Sequence, residues 1–312
     1  MCGIVGIYHK KEPACGDVYD ALIQVQHRGQ DAAGISTWDT EKISTHKYTG
    51  LVTEVFKHQA TFDKLAGNIG IGHVRYPTAG GDNVSEAQPF FTANPVNISL
   101  AHNGTLTNSE KLKEELIRIN FCQFNTNSDS EVLLKQFCYE LYKTNFRKLT
   151  KTHVYKALNN VFQKCSGGYA VVMIVAGIGL VAFRDPKGIR PLSLGKYKNS
   201  YLIASESSAI TAMGYDLESD IKPGQVVIID EQGNVDKKRP IKGSTNQPCL
   251  FEYVYFSRPD STIDEISVHK SRLRMGDFLG EKILRDYKTL DVDVVIPVPD
   301  TSRTSEIGRA HV

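Results

Sequence analysis

Met1-Cys2-Gly3-Ile4-Val5-Gly6 opens the chain and holds the key to its architecture. Removal of Met1 would leave a cysteine that carries a thiol and a free α-amine on one residue, a nucleophile and a base together. Ile4 to Tyr8 is short, β-branched and apolar, so it reads as a strand that buries the terminus. A secretory signal needs a longer apolar run followed by a cleavage site, and neither is present. Position alone favours a Cys2 that is only a small hydrophobe at the start of a strand.

Working outward, Gly16 to Gln26 has near-helical apolar spacing, and Gly29 reads as its C-terminal stop. His27 to Ser36 is dense in polar residues and glycine. Strands are expected at Gly34–Trp38 and Ile43–Tyr48, and a helix over Val52–Leu65. Ile69 to Arg75 alternates like a strand and runs into a small, polar, glycine-rich stretch, Pro77 to Asn83, of the kind used in mobile loops over sites. Ile98 to Leu106 reads as a strand ending in Asn103-Gly104, a strong signal that in isolation marks a tight turn. Helices are expected at Ser109–Ile119, Val132–Tyr142 and His153–Cys165, with Asp129 as an acid at a helix start. From Gly168 the texture changes to strands, Tyr169–Val175, Ile178–Phe183, Leu192–Tyr197, Tyr201–Ala204 and Gln225–Asp230. Strands, helices, then strands imply two sheets with helices outside them. Lys237 to Gln247 reads as a linker. Beyond it, a strand at Leu250–Ser257, a helix at Val268–Tyr287 and an apolar strand at Val292–Pro299 give the β-α-β opening of a parallel sheet.

At 312 residues the chain has the length of two domains. Its 37 basic and 35 acidic residues give a net charge of +2, so neither nucleic acid nor a membrane surface is an expected partner. No apolar run reaches the ~18 residues of a membrane span. The six cysteines are scattered without a C-x-x-C pair, which argues against a zinc knuckle and for reduced thiols in a cytoplasm.

Four stretches, Met1–Gly6, His27–Ile35, His73–Phe90 and Ala101–Gly104, together resemble the class II glutamine amidotransferases. Tyr76–Gly80, Ser85–Phe90, Arg184–Leu192, Phe251–Ser261 and Val295–Ser302 narrow the resemblance to the amidophosphoribosyltransferases. The resemblance implies an α+β fold. Its first part is a four-layer αββα N-terminal nucleophile hydrolase sandwich over residues 2–240. The incomplete start of an α/β type I phosphoribosyltransferase domain follows over 241–305, and 306–312 is expected to be a non-native tail. It implies purine-biosynthetic chemistry: glutamine is hydrolysed, and the ammonia displaces pyrophosphate from phosphoribosyl pyrophosphate to give phosphoribosylamine.

By the same resemblance Cys2 is the nucleophile, and Asn103 and Gly104 supply the oxyanion donors. Arg75 takes the glutamine α-carboxylate and Asp129 its α-ammonium. Arg28 and Gly29 line the same pocket, with Arg75–Gln88 as its lid. Asp300, Thr301 and Ser302 are the front edge of the phosphoribosyl pyrophosphate site, with Thr301 toward Mg2+. The family's Asp-Asp phosphate loop is absent from the sequence. Some family members carry an iron–sulfur cluster and a propeptide; Cys2 directly follows Met1, and Cys249 reads as a buried structural thiol, so neither is expected. A homo-oligomer is implied for the full-length protein. The rival readings are the glutaminase domain of another class II amidotransferase, against which Phe256–Ser261 argues, and an inactive gene fragment.

Overall fold

A computed structural model describes residues 2–76, 84–119, 121–287, 289 and 293–309. The chain opens with β1 (Gly3–Tyr8) and α1 (Cys15–Gln24), followed by β2 (Ala32–Trp38) and β3 (Ile43–Thr49). Two short helices, α2 (Val52–Val55) and α3 (Gln59–Asp63), lead to β4 (Ile69–Arg75), β5 (Phe90–Thr92) and β6 (Ile98–Leu106). Helices α4 (Ser109–Arg118), α5 (Asp129–Tyr142) and α6 (Lys151–Lys164) come next. After them run β7 (Gly167–Val175), β8 (Gly179–Arg184), β9 (Ser193–Tyr197), β10 (Ser200–Ala204), α7 (Ser207–Ala212), β11 (Asp216–Asp220), β12 (Val226–Asp230) and β13 (Val235–Lys238).

The strands form two antiparallel sheets, ordered β11-β9-β10-β1-β4-β2-β3 and β13-β12-β8-β7-β6-β5. The period-2 alternation of β1 explains why they stack. Ile4 and Tyr8 point between the sheets, where they meet Ile69, Ile71, Ala170, Val172 and Leu180. Val5 and Ile7 point the other way and pack under Val18 and Leu22 of α1 and Ala209 and Ile210 of α7. The second sheet repeats the arrangement: Val171, Met173 and Phe183 face Leu133, Phe137, Leu158 and Phe162 of α5 and α6. The layers are therefore helix, sheet, sheet, helix, the expected N-terminal nucleophile hydrolase sandwich. β1 lies mid-sheet between β4 and β10, so the residue before it is anchored on both sides.

Two compact units divide at Pro248/Cys249. The stretch read as a linker begins inside β13. It is tied back to the first unit by hydrogen bonds from Thr245 N to Pro186 O and Gln247 N to Lys187 O. In the second unit a short hairpin, β14 (Thr262–Ile263) with β15 (Ile266–Ser267), precedes α8 (Val268–Asp286) and α9 (Arg303–Arg309).

Several expectations are corrected. Of the strand expected at Leu250–Ser257, Leu250 to Phe256 is helical, ending in a π-helical turn at Glu252–Phe256. Arg272 of α8 donates to the carbonyls of Tyr253 and Ser257, which satisfies a helix end without any sheet partner. Val292–Pro299 is not a strand over its described residues. Among the described residues no strand pairs with it to complete a ladder, and Val294, Ile296 and Val298 stay 69–77% exposed. Val52–Leu65 breaks into α2 and α3. Gly29 does not cap α1 in a left-handed turn; it is extended, at φ −165°. Asn103-Gly104 makes no turn but runs straight through β6 opposite Ala170 and Tyr169.

Candidate active site

β1 delivers Cys2 to the edge of the sandwich. Its start is pinned by Ser205, whose Oγ accepts from Ile4 N and whose N–H donates to Ile4 O, both at 3.0 Å. Arg28 Nε donates to Cys2 O at 3.1 Å, and Arg28 Nη1 is paired with Glu206 at 2.6 Å, with the Arg28 and Glu206 side chains buried. His27 Nε2 meets the same carboxylate oxygen at 2.8 Å. The expected pocket residue Arg28 therefore stands behind Cys2 and holds its backbone. Gly29 stands beside it, where any side chain would collide with the backbone of Arg75, 2.5 Å from a built Cβ.

Cys2 N donates to Asn103 Oδ1 at 3.2 Å, and Cys2 Sγ lies 3.9 Å from Tyr76 O. Asn103 is fully buried, and its Nδ2 has no hydrogen-bond partner among the described residues. A buried amide donor without a partner costs free energy unless something fills it. Gly104 follows at φ +151°, where a Cβ would meet Gly168 O at 2.1 Å, so only glycine fits.

A cavity of about 220 Å³ opens on Cys2. Arg75, Gly104, Asp129, Gln88 and His102 are on its wall. Arg75 ends β4 and pairs with Asp31 at 2.7 Å. Asp129 is the first residue of α5, and its Oδ2 accepts from Leu106 N at 2.8 Å. Of the expected loop over the site, residues 77–83 lie outside the described residues. Burial pushes the Cys2 thiol above its ordinary value, opposed by a backbone hydrogen bond of Tyr76, the N-terminal charge and Arg75.

Sequence reasoning missed the scaffold under this cavity. Gln88 accepts from His102 N at 2.8 Å, and its amide donates to His102 O and Ser130 Oγ. Ser130 Oγ also meets His102 Nδ1 at 2.8 Å. His73, on β4, is completely buried beside His102. Desolvation brings it down to about 3, and also lowers His102, so both imidazoles are neutral. Gln88 sits in a stretch already singled out; Glu206 carries no motif and is 178 residues from Arg28, so nothing local announces the pair.

Asp300, Thr301 and Ser302 stand in the second unit. Asp300 is exposed and paired with Arg303 at 3.0 Å, and Ser302 Oγ donates to Val298 O. Among the described residues no group of three His, Cys, Asp or Glu side chains could hold a metal. Mg2+ takes about six oxygen ligands, and the residues here do not by themselves fit it. Among the described residues no helix is long and apolar enough to cross a membrane.

A model of the glutamine amidotransferase domain matches residues 73–212. An amidophosphoribosyltransferase of Pseudomonas aeruginosa is 48% identical over 315 residues, covering 100% of this chain and 62% of the relative. That of Escherichia coli is 47% identical, covering 97% and 61%. The solved glutamine phosphoribosylpyrophosphate amidotransferase of B. subtilis, complexed with ADP and GMP, superposes with a TM-score of 0.84. It is 35% identical, with 99% of this chain and 64% of that one covered. The chain thus spans about three fifths of the length of the relatives it matches, and over that span it is similar to amidophosphoribosyltransferases.

Proposed function

We propose that the first unit hydrolyses glutamine with Cys2 as nucleophile, as the ammonia-producing half of an amidophosphoribosyltransferase. The observation that carries this is Asn103. Its Oδ1 holds the Cys2 nitrogen, while its buried Nδ2 is left without a partner beside the cavity.

The chemistry follows from the residues. With Met1 removed, the Cys2 nitrogen becomes an α-amine of ordinary pKa about 7.7–8.0, oriented by Asn103 Oδ1. Burial raises the thiol, so it does not ionise unaided at neutral pH; the amine takes its proton. The thiolate attacks the side-chain amide carbon of glutamine, and the oxyanion that forms is met by Asn103 Nδ2 and Gly104 N–H. The amine returns the proton to the leaving nitrogen, the C–N bond breaks and ammonia departs. Water then attacks the thioester and glutamate leaves. Arg75, fixed by Asp31, takes the α-carboxylate, and Asp129, fixed by Leu106 N–H, takes the α-ammonium. Arg28 and Gly29 position Cys2 and Arg75 from behind. The ammonia then serves displacement of pyrophosphate from phosphoribosyl pyrophosphate in the whole protein. Six free thiols suit the reducing compartment in which such biosynthesis runs.

Glutamine hydrolysis by the purified chain tests the reading. Cys2→Ser, or a chain retaining Met1, should lose turnover. Asn103→Ala should lower kcat about 10²–10³-fold, the usual loss for one oxyanion donor. Undiminished glutamate release from Cys2→Ser would overturn the assignment.

A further inference from the structure

Back to back with the Cys2 cavity lies a second cleft, of about 510 Å³, where the edge strands β3 and β5 of the two sheets approach α5. Lys47, Phe90, Phe91, Leu134 and Lys135 line it. Two segments wall both spaces. Ser85, Pro89, Asn125 and Glu131 face the second cleft, while Glu86, Gln88, Asn127 and Ser130 face the Cys2 cavity.

The lining chemistry is specific. The Lys47 ammonium donates to Ala87 O and sits 4.7 Å from the centroid of the Phe90 ring. Burial brings it down to about 8, against the pull of Glu131 and Glu86. The Glu131 carboxylate is already occupied by Asn125 N, Thr126 N and Thr126 Oγ1. Lys135 has no ion-pair partner among the described residues. Two cations therefore face a cleft whose one carboxylate is engaged, beside a buried and an exposed aromatic ring.

We infer that this cleft binds a small planar organic anion, held by Lys47 and Lys135 against Phe90 and Phe91, and that its occupancy is transmitted to the Cys2 cavity through the Ala87–Gln88 peptide. An anion competes with Ala87 O for the Lys47 ammonium. Releasing that carbonyl loosens Gln88, which otherwise fixes His102 N, His102 O and Ser130 Oγ on the wall of the cavity. The site stands independently of the proposed glutaminase; only its kinetic consequence rests on that reading.

Trinitrobenzenesulfonate, itself a planar aromatic anion, tests the site in the full chain. The Lys47 amine attacks the ring carbon bearing the sulfonate; the C–N bond forms, the C–S bond breaks, sulfite leaves and the ammonium proton passes to solvent. Peptide mapping should find Lys47 the fastest-labelled lysine, with saturable protection by phthalate. In Lys135→Gln the half-protecting phthalate concentration should rise about tenfold, the loss expected for one charge-assisted contact. In the parent chain the KM for glutamine should rise over the same phthalate range. Labelling no faster than at surface lysines, or protection that is unsaturable or unchanged in Lys135→Gln, overturns the site. Saturable protection with an unchanged KM overturns the link. Because labelling needs no turnover, failure of the glutaminase reading would leave the binding result legible.

Discussion

Arg28 and Glu206 meet with both side chains fully buried, and the same guanidinium holds Cys2 O. Removing one partner of such a pair strands a charge in a dry interior, at a cost of about 3–5 kcal/mol. Glu206→Gln is therefore expected to lower the unfolding free energy by that amount in urea titration. It should also slow glutamine hydrolysis in whatever fraction stays folded; full stability in the variant would show that the pair contributes nothing net. His73 gives a pH signature. Its folded value, about 3, lies below the ordinary 6.5, so the unfolded chain binds the proton first as pH falls. Stability contributed by the neutral imidazole is present above pH 6.5 and is lost toward pH 3, at up to about 1.4 kcal/mol per pH unit. His73→Gln should flatten the acid limb of stability against pH; an unaltered slope contradicts the assignment. Cys2 stands out in the sequence only when Met1–Gly6 is read together with His27–Ile35, His73–Phe90 and Ala101–Gly104, since position alone favours a small hydrophobe at the start of a strand. The burial of His73 was not legible, since a His in an alternating strand points either way until the second sheet is in place.

At the scale of elements, β6 carries most of the site. Asn103 and Gly104 are consecutive, and alternation sends the Asn103 side chain toward Cys2 while His102 turns to Ser130 of α5. The Asn-Gly dipeptide invites a turn, yet the strand continues, because nine consecutive β6 residues pair with β7 and hold φ +151° at Gly104 within the ladder. Local turn chemistry loses to a long two-sided ladder. Gly104→Ala would place its Cβ 2.1 Å from Gly168 O, whereas Gly177, also at positive φ, has nothing within 4 Å. Both variants incur the strain of a left-handed residue, about 1–3 kcal/mol. The first adds a backbone collision, costing a further ~1–3 kcal/mol. Thermal unfolding should thus show a distinctly larger loss for Gly104→Ala than for Gly177→Ala; equal losses would mean that β6 can shift away from β7. Most strands of the sandwich were readable because an apolar run or alternation marks a buried face, whereas the three-residue β5 and the largely exposed β11 and β13 carry no such mark. The helical Leu250–Phe256 was not readable, because its aromatic run satisfies strand and helix patterns alike and is decided by Arg272, whose bonds reach back 19 and 15 residues to Tyr253 O and Ser257 O.

The molecule as a whole is unequal in how it buries its apolar residues. Met1–Pro248 encloses three cores, one between the sheets and one under each helical layer. Cys249–Val312 has only a small one around Tyr253, Ile263 and Val268, and leaves Phe278, Leu284 and Tyr287 about 60–70% exposed along with Val294, Ile296 and Val298. Glutamine hydrolysis, as proposed, needs nothing from the second unit, since the residues around the Cys2 cavity all belong to the first. The sequence reads Val292–Pro299 as a strand of a parallel sheet; among the described residues this run forms no strand, because no sheet there offers it a partner. Exposed apolar surface on this scale, with unpaired backbone beside it, drives association between copies. A chain ending at Pro248 should therefore fold, hydrolyse glutamine at the rate of the full chain and sediment as one species. The full chain should grow in apparent mass with concentration, and Val294→Lys with Ile296→Lys should reduce that growth without changing glutamine turnover. If the shorter chain associates as strongly as the full one, the association surface lies on the sandwich instead; if it unfolds, the three cores of the first unit do not suffice alone.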